Sequence, residues 1–353
     1  MKINTDKFRR IVLGISLFSS ITAFAQTPVV DHTNVREGES VEYCTTHKKM
    51  KHLKETVPGF VQDFEALQAQ LAEVEQNMLA NPPAKRVIYK IPIVFHVLHN
   101  NGTENISDEQ IMDAFAILNR DYRLLNTDAL NVHNDFKASN PNATCTPADI
   151  EIEFVLATKA PNGTCFNGIT RTVSALTSDG SSGSAQVNAI VNGNNVYNGQ
   201  WPPNKYLNVF IADEIGGAAG YTFNPGFSAT NMYFNGIFML HNYLGSIGTS
   251  SVTSSRALTH EVGHWLNLSH TWGGDNNPGV GCGSDQVNDT PETRGVTSCA
   301  LNENFCGPRA NVENYMDYSY CSKMFSQGQK ARMRVQLWLQ QEQGEITSGQ
   351  QPI

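Results

Sequence analysis

The run HEVGHWLNLSH, residues 260–270, holds three histidines and one glutamate at a spacing that suits a catalytic metal ion. Side chains four residues apart lie on one face of an α-helix, so His260 and His264 can bind the same metal. Glu261 follows the first ligand, and its carboxylate is placed to take a proton from a water that the metal activates rather than to bind the metal itself. These residue types in this order predict a zinc hydrolase.

The third histidine requires the helix to end. His270 is six residues beyond His264, too far along a straight helix to reach the same ion, so the chain must turn back between them. Asn267 suits that turn because asparagine tolerates the left-handed backbone that glycine usually occupies at a helix end. Three histidine ligands leave one position of a tetrahedral zinc ion open for water, which favours a catalytic site over a closed structural one.

The segment NYMDY, residues 314–318, adds a second motif downstream. Together with the histidine run it resembles the metzincin metallopeptidases, in which HExxHxxGxxH is followed by a methionine-containing turn. IPIVFHVLHN, HTWGG, DQVNDTPE and NYMDYSYC are most similar to the pappalysin family, including its ulilysin-like members, and the resemblance covers most of residues 88–340. It implies a zinc-dependent endopeptidase with Met316 beneath the zinc site and Tyr318 donating a hydrogen bond to the tetrahedral oxyanion.

The resemblance is weaker where it bears on substrate preference. Ulilysin-like enzymes that cut before arginine or lysine are expected to carry an acidic residue just ahead of the cysteine after the methionine turn. That stretch is Ser319-Tyr320-Cys321 in this chain. A preference for basic side chains is therefore not transferred, although Asp317 or a residue elsewhere could line the pocket.

The N-terminal quarter has the character of export and processing signals. Residues 1–25 join a basic start, an apolar run too short to span a bilayer, and small residues at Ala23 and Ala25, which predicts a signal peptide and a secreted protein. Residues 26–86 contain a helical stretch, a Pro-Pro breaker and the pair Lys85-Arg86, which predicts a pro-segment, with a permanent helical extension as the alternative. The catalytic domain is then 87–353, with an upper part 87–270 and a lower part 271–353.

The chain has seven cysteines, and an exported protein favours paired ones. Removal of the pro-segment leaves six. Cys44 lies in YCTTH, which is similar to the pro-segment motif of ulilysin-like zymogens and implies a thiolate that binds zinc in the latent form; a free surface cysteine is the alternative. Family order implies the remaining pairs, which are Cys282 with Cys306, Cys299 with Cys321 and, by what is left, Cys145 with Cys165.

A loop after the zinc motif is rich in short oxygen ligands. Calcium favours six to eight oxygens, and pappalysin-like enzymes are calcium-dependent in this region, so we expect a structural calcium site here beside the single catalytic zinc. An uncommitted polar loop is the alternative. The candidate ligands are Asp285, Asn288, Asp289 and Thr290.

The chain is acidic, with a formal net charge of −8. That charge argues against nucleic acid or an anionic membrane as a partner, and no second apolar segment suggests membrane insertion. We expect protein or peptide substrates, and the sequence does not indicate an oligomeric state.

The coarse fold predicted is α+β, a twisted mixed sheet of five strands with a backing helix and the zinc-binding helix, above a loop-rich lower part stapled by disulfides. Ser107 is predicted to cap the helix DEQIMDAFAILNRDY, and GAAGYTF, residues 217–223, to be the edge strand that pairs with substrate. Extra histidines at His96, His99 and His241 are interpreted as packing or surface residues. The remaining strands are predicted in VIYKIPIVFHVL, DIEIEFVLA, KYLNVFIAD and GIFMLHNYL.

Two other functions fit part of the pattern. A secreted binding or adhesive protein with a vestigial zinc site would not need Glu261, Tyr318 or the Cys44 thiol, all of which are present. A gluzincin-type peptidase would take Glu292 or Glu303 as its third ligand, which the shorter spacing to the third histidine disfavours.

Overall fold

A computed structural model describes residues 30–80, 87–180, 183–225, 235–274 and 277–342. The predicted signal peptide, the Pro-Pro breaker and the pair Lys85-Arg86 lie outside these residues. None of the helices in the described ranges is long and apolar enough to cross a bilayer.

A seven-stranded mixed sheet forms the frame of the molecule. Its strands are β1 Glu42–Cys44, β2 Tyr89–His99, β3 Ile152–Leu156, β4 Ile169–Val173, β5 Leu207–Ala212, β6 Ala218–Tyr221 and β7 Ile237–Leu240. Their order in the sheet is β1-β6-β7-β5-β2-β3, with β4 also paired to β2. All neighbours are parallel except β6 and β7, which are antiparallel.

The central strand β2 is almost continuously apolar, because it is covered on both faces. Its first half pairs with β3 and its second half with β4 along one side, while β5 pairs along the other. The core of the molecule lies on this strand and its neighbours, with Ile93, Phe95 and Val209 fully buried.

Helices pack against the sheet, and one of them carries the first two histidines of the run. The helices are α1 Thr46–Thr56, α2 Phe60–Ala80, α3 Asp108–Tyr122, α4 Ser184–Gly193, α5 Ala257–Trp265 and α6 Gln327–Glu342. Ser107 accepts a hydrogen bond from the backbone N–H of Gln110 and caps α3, as predicted. The helix α2 contacts α6, and their buried contact joins Leu71 to Val335.

The α+β class and the mixed sheet are confirmed, but the predicted count of five strands is wrong. The five predicted strands are all present, and two short strands join them. β4 completes the edge of β2 that β3 leaves unpaired, and its sequence ITRTV is too polar to stand out as a buried strand. β1 has three residues and is held by its pairing to β6.

The lower part has little regular structure before α6 and is joined by two disulfides, Cys282–Cys306 and Cys299–Cys321, as predicted. The third predicted bridge is wrong, because Cys145 and Cys165 are both free. Cys145 is buried in an apolar cluster and accepts a hydrogen bond from the side-chain amide of Asn311, whereas Cys165 is exposed in the loop before β4. Pairing by elimination assumed that every cysteine is bridged, and a buried thiol can instead be held by apolar packing.

Candidate metal centre

The helix α5 ends where the spacing of the histidines requires it to end. Its last residue is Trp265, and Asn267 has a φ of 72°, the left-handed conformation predicted for the turn. The backbone N–H of Leu268 donates to the carbonyl of Gly263, which closes the helix end and leads the chain back. The side chain of Asn267 also exchanges hydrogen bonds with Gln68 of α2.

The turn brings the three histidines together. The Nε2 atom of His264 lies 3.1 Å from Nε2 of His260 and 3.0 Å from Nε2 of His270. A tetrahedral zinc ion with Zn–N bonds of about 2.0–2.1 Å holds its nitrogen ligands about 3.3 Å apart. The spacing therefore suits three ligands of one small cation.

Hydrogen bonds at the opposite ring nitrogens of His260 and His264 keep Nε2 of each ring turned towards the centre of the cluster. Nδ1 of His260 donates to the carbonyl of Tyr315 at 2.6 Å, and Nδ1 of His264 donates to the carbonyl of Leu268 at 2.7 Å. A neutral imidazole with its proton on Nδ1 presents a lone pair at Nε2. Two such lone pairs at 3.1 Å repel each other, and a cation between them turns that repulsion into binding.

His270 is oriented by ring packing. Its imidazole stacks on the indole of Trp272, with centroids 4.6 Å apart and planes 9° from parallel. Its Nδ1 atom is buried and has no hydrogen-bond partner within the described residues. Burial lowers the pKa of all three histidines, that of His264 to about 4, so the rings are neutral and able to bind a metal.

Cys44 completes the cluster from the end of β1. Its sulfur and the three histidine nitrogens lie within 4.8 Å of one another, the only such group of possible metal ligands in the ranges the structure describes. Cys44 is fully buried, and burial raises the pKa of its thiol. The backbone N–H of Thr46 donates a hydrogen bond to this sulfur at 3.4 Å, and such a donor stabilises the thiolate form. Sulfur and three imidazoles are a donor set that fits zinc.

Glu261 lies beside the cluster without belonging to it. It is fully buried, and burial raises the pKa of its carboxyl to about 8. One oxygen accepts a hydrogen bond from the hydroxyl of Thr46 at 3.1 Å, and the other has no partner in the described part of the chain. Gly220 of β6 permits the approach, because a Cβ there would be 2.8 Å from Cγ of Glu261.

The segment 314–318 forms a tight turn under the cluster. The Asn314 side chain accepts the N–H of Met316, and Met316 lies against Gly263 of α5, where a Cβ would overlap its sulfur. The hydroxyl of Tyr318 donates to the carbonyl of Cys44 at 2.7 Å. Tyr318 thus donates to the carbonyl oxygen of a residue whose sulfur belongs to the cluster.

The predicted calcium ligands are engaged by the protein. Asp285 is buried and accepts from the N–H of Val287, and burial raises the pKa of its carboxyl to about 6. Asp289 accepts from Ser326 and from the backbone of Gly328. Thr290 donates to Asp285, and Asn288 is exposed.

The other candidate ligands stay outside the cluster. His96 is buried between Thr170 and Asn208, at 2.8 and 3.1 Å, which fits its interpretation as a packing residue. Glu303 pairs with Arg294 at 3.2 Å. Among the described residues, the cluster includes neither His99, His241 nor Glu292.

Three residues next to the cluster were missed by the sequence analysis. Tyr43 and Thr46 flank Cys44 in the motif YCTTH, but their partners are more than 200 positions away. Gly220 falls in the predicted edge strand, and only its closeness to Glu261 gives it a role. The strand itself is β6, and its outer edge is paired with β1 rather than free.

Comparison with known proteins identifies relatives that are metalloproteases. A family model described as pregnancy-associated plasma protein-A matches residues 191–338. An extracellular metalloprotease of Sordaria macrospora is 35% identical over 140 residues, which are 36% of this chain and 47% of that protein. Extracellular metalloprotease 1 of Coccidioides posadasii is 28% identical over 293 residues, covering 78% and 86% of the two chains. The matches span about half the length of the first curated relatives.

Solved structures match over more of the chain. A promirolysin mutant of Tannerella forsythia has a TM-score of 0.69 at 29% identity, over 86% of this chain and 95% of that one. Mature mirolysin of the same organism, in complex with a cleaved peptide, has a TM-score of 0.61 at 31% identity, over 75% and 100%.

Proposed function

Because the chain belongs to the pappalysin family of metallopeptidases, we propose that it is a secreted zinc-dependent endopeptidase made as a latent precursor. The observation that carries the proposal is the convergence of three buried Nε2 atoms and the Cys44 sulfur. The Nε2 lone pairs of His260 and His264 face each other at 3.1 Å, an arrangement that a cation stabilises.

His260, His264 and His270 would hold the zinc ion in the active enzyme. When bound, zinc supplies a Lewis acid that polarises the scissile carbonyl and lowers the pKa of a water molecule. The backbone carbonyls of Tyr315 and Leu268 keep two of the rings in the tautomer that binds metal. Met316 supports the site from below by filling the space beside Gly263, and it takes no part in the chemistry.

Two side chains would do the proton transfer and the charge stabilisation. Glu261 accepts the proton of the attacking water and passes it to the leaving amine, and its oxygen without a partner is free for that role. The hydroxyl of Tyr318 donates a hydrogen bond to the oxygen of the tetrahedral intermediate, as it does to the carbonyl of Cys44.

Latency would come from the N-terminal segment, residues 26–86. The strand β1 pairs with β6 and covers the edge that an extended substrate would use, and the Cys44 sulfur would be a fourth ligand of the metal ion in the precursor. Cleavage before the catalytic domain 87–353 would release both. Export through the signal peptide 1–25 is supported by relatives named as extracellular metalloproteases.

A structural calcium ion in the loop from Asp285 to Thr290 remains part of the proposal. Both of its carboxylates have internal hydrogen bonds, so calcium would have to replace some of them. Loss of activity in a calcium-selective chelator that leaves zinc bound, with recovery on adding Ca²⁺, supports the site; full activity without calcium contradicts it.

The activity is tested with Glu261→Gln in the processed enzyme. We expect one zinc ion per chain to be retained, and hydrolysis of a protein substrate to fall by about two to four orders of magnitude, the usual contribution of a general base. Glu303→Gln is the matched control, because its carboxylate pairs with Arg294 outside the metal cluster. Wild-type turnover by zinc-loaded Glu261→Gln, or no turnover by the zinc-loaded wild type, contradicts the proposal.

A further inference from the structure

A pocket of about 550 Å³ lies between the N-terminal segment and the catalytic domain. Arg36, which lines the pocket, contacts the ring of Tyr43, and that ring contacts His260 of the metal cluster. One wall is residues 36–41 of the N-terminal segment. The opposite wall is formed by the end of β7, the stretch before α5 and Tyr320 after the methionine turn. If the proposed cleavage removes the first wall, the second becomes a surface of the active site.

The ring of Tyr43 lies between the pocket-lining Arg36 and the metal cluster. Tyr43 directly precedes Cys44, whose sulfur is in the metal cluster. Its buried ring contacts His260, with centroids 5.2 Å apart, and Tyr318, at 5.4 Å. The guanidinium of Arg36 lies over the other side of the Tyr43 ring at 3.9 Å, at the pocket itself. An aromatic side chain with a cation behind it therefore fills this place in the precursor.

The charge of Arg36 is balanced from within its own segment. Arg36 is 2% exposed, and its guanidinium donates two hydrogen bonds to Glu39, at 3.0 and 2.9 Å. A buried guanidinium without a counter-charge is strongly unfavourable, so a paired carboxylate must accompany it. The N-terminal segment brings that carboxylate with it, and none of the described catalytic-domain residues that line the pocket provides one.

The described residues that the catalytic domain contributes to the pocket wall are uncharged. The charged residues that line the pocket are Arg36, Glu37 and Glu39, all on the N-terminal segment. Asp317, the acidic residue considered from the sequence, is buried and is not among the residues that line the pocket; it accepts hydrogen bonds from Thr271 and from the backbone of Ser319. The side chains of the catalytic-domain wall are apolar, amide, hydroxyl or tyrosine groups, among them Leu240, Asn242, Tyr243, Thr249, Ser251 and Tyr320.

We propose, on the basis of the endopeptidase function above, that this pocket selects an uncharged side chain, best an aromatic one, on one side of the scissile bond. Hydroxyl groups and tyrosine rings accommodate an aromatic side chain such as that of Tyr43 without desolvating a charge. A lysine or arginine side chain in the same pocket would find no carboxylate on this wall to pair with. Its charge would lose hydration that no described lining residue replaces.

The test uses the processed, zinc-loaded enzyme and peptides that differ only at the two positions flanking the cut. Each position carries tyrosine, leucine, arginine, lysine or glutamate in turn, and mass spectrometry identifies the bond cleaved. At one of the two positions we expect kcat/KM for tyrosine to exceed that for arginine by at least about tenfold, the effect of about 1.4 kcal/mol. Equal or faster cleavage with arginine at both positions overturns the inference but leaves the endopeptidase function intact. No cleavage of any peptide overturns both.

A pair of variants tests whether charge on this wall sets the preference. Tyr320 lines the pocket and is 47% exposed, so Tyr320→Asp places a carboxylate there and Tyr320→Asn is the matched neutral control. We expect the Asp variant to raise the ratio of arginine to tyrosine cleavage about tenfold and the Asn variant to leave it within twofold. The same ratio in both variants overturns the assignment of this wall to substrate selection.

Discussion

The hydroxyl of Thr46 links the N-terminal segment to the catalytic machinery, and Thr46→Val removes only that link. The hydroxyl donates to Glu261 at 3.1 Å and accepts from the backbone N–H of Thr222 at 3.0 Å, and both contacts are buried. Valine has nearly the same shape but neither donates nor accepts. The substitution therefore leaves a carboxylate oxygen and an amide unpaired while the segment stays in place.

The size of the effect follows from those two contacts. A hydrogen bond contributes about 0.5–1.5 kcal/mol when its acceptor is neutral and about 1.5–3 kcal/mol when it is charged, and an unpaired buried N–H costs about 1–3 kcal/mol. In the open form both groups reach water, so the loss falls on the closed form alone. A total of about 3 kcal/mol raises the open fraction of the precursor roughly a hundredfold.

The assay is the initial rate at which intact precursor hydrolyses a fluorogenic peptide, with intactness checked by mass spectrometry. Thr45→Val is the matched control, because the buried Thr45 hydroxyl has no hydrogen-bond partner in the described residues. We expect a roughly hundredfold higher basal rate for Thr46→Val, and little change for Thr45→Val or Thr46→Ser. Processed enzymes from all four chains should be identical, since the changed residues are removed.

A folded Thr46→Val precursor that stays as latent as the wild type would refute the reasoning. So would equal activation by Thr45→Val, since the effect would then come from changing a threonine in this segment and not from the two contacts of Thr46.

Three further predictions concern the glycine beside the base, the free thiols and a buried histidine. Gly220→Ala should lower kcat of the processed enzyme at least tenfold, since its Cβ would lie 2.8 Å from Cγ of Glu261; unchanged kcat would show that the carboxylate does not need this approach. Alkylation of the precursor should label the exposed Cys165 in the native state and Cys145 only after unfolding; a bridge between them would leave both unlabelled. Burial lowers the pKa of His96 to about 4, below its unfolded value of about 6.5. The free energy of unfolding should therefore fall by up to about 3 kcal/mol as the pH is lowered from the unfolded pKa of His96 to its folded pKa. A midpoint near pH 6.5 in an NMR titration of His96 would contradict this prediction.

The histidine run could be interpreted from sequence because its geometry is local. Helix periodicity places His260 and His264 on one face, and the need to turn back for His270 identifies the turn at Asn267. The same holds for α3, because its capping serine directly precedes the periodic apolar residues of the helix. Met316 and Tyr318 needed the family resemblance as well, since nothing within their own segment indicates what they lie beside.

What the sequence could not provide are contacts between distant segments. The hydrogen bond from Thr46 to Glu261 spans 215 positions, and no local pattern encodes it. The strands β1 and β4 are too short or too polar to be recognised before their partners are known. The free state of Cys145 depends on the apolar cluster around it, which forms only in the folded chain.

Zinc-edge X-ray absorption, compared between the precursor and the processed enzyme, tests the central claim most directly. In the zinc-loaded precursor we predict three nitrogen ligands at about 2.0–2.1 Å and one sulfur at about 2.3 Å. In the processed enzyme the three nitrogens stay and an oxygen replaces the sulfur. A precursor without zinc–sulfur scattering, or a processed enzyme that keeps it, would contradict the assignment of Cys44 as the removable fourth ligand on a three-histidine zinc site.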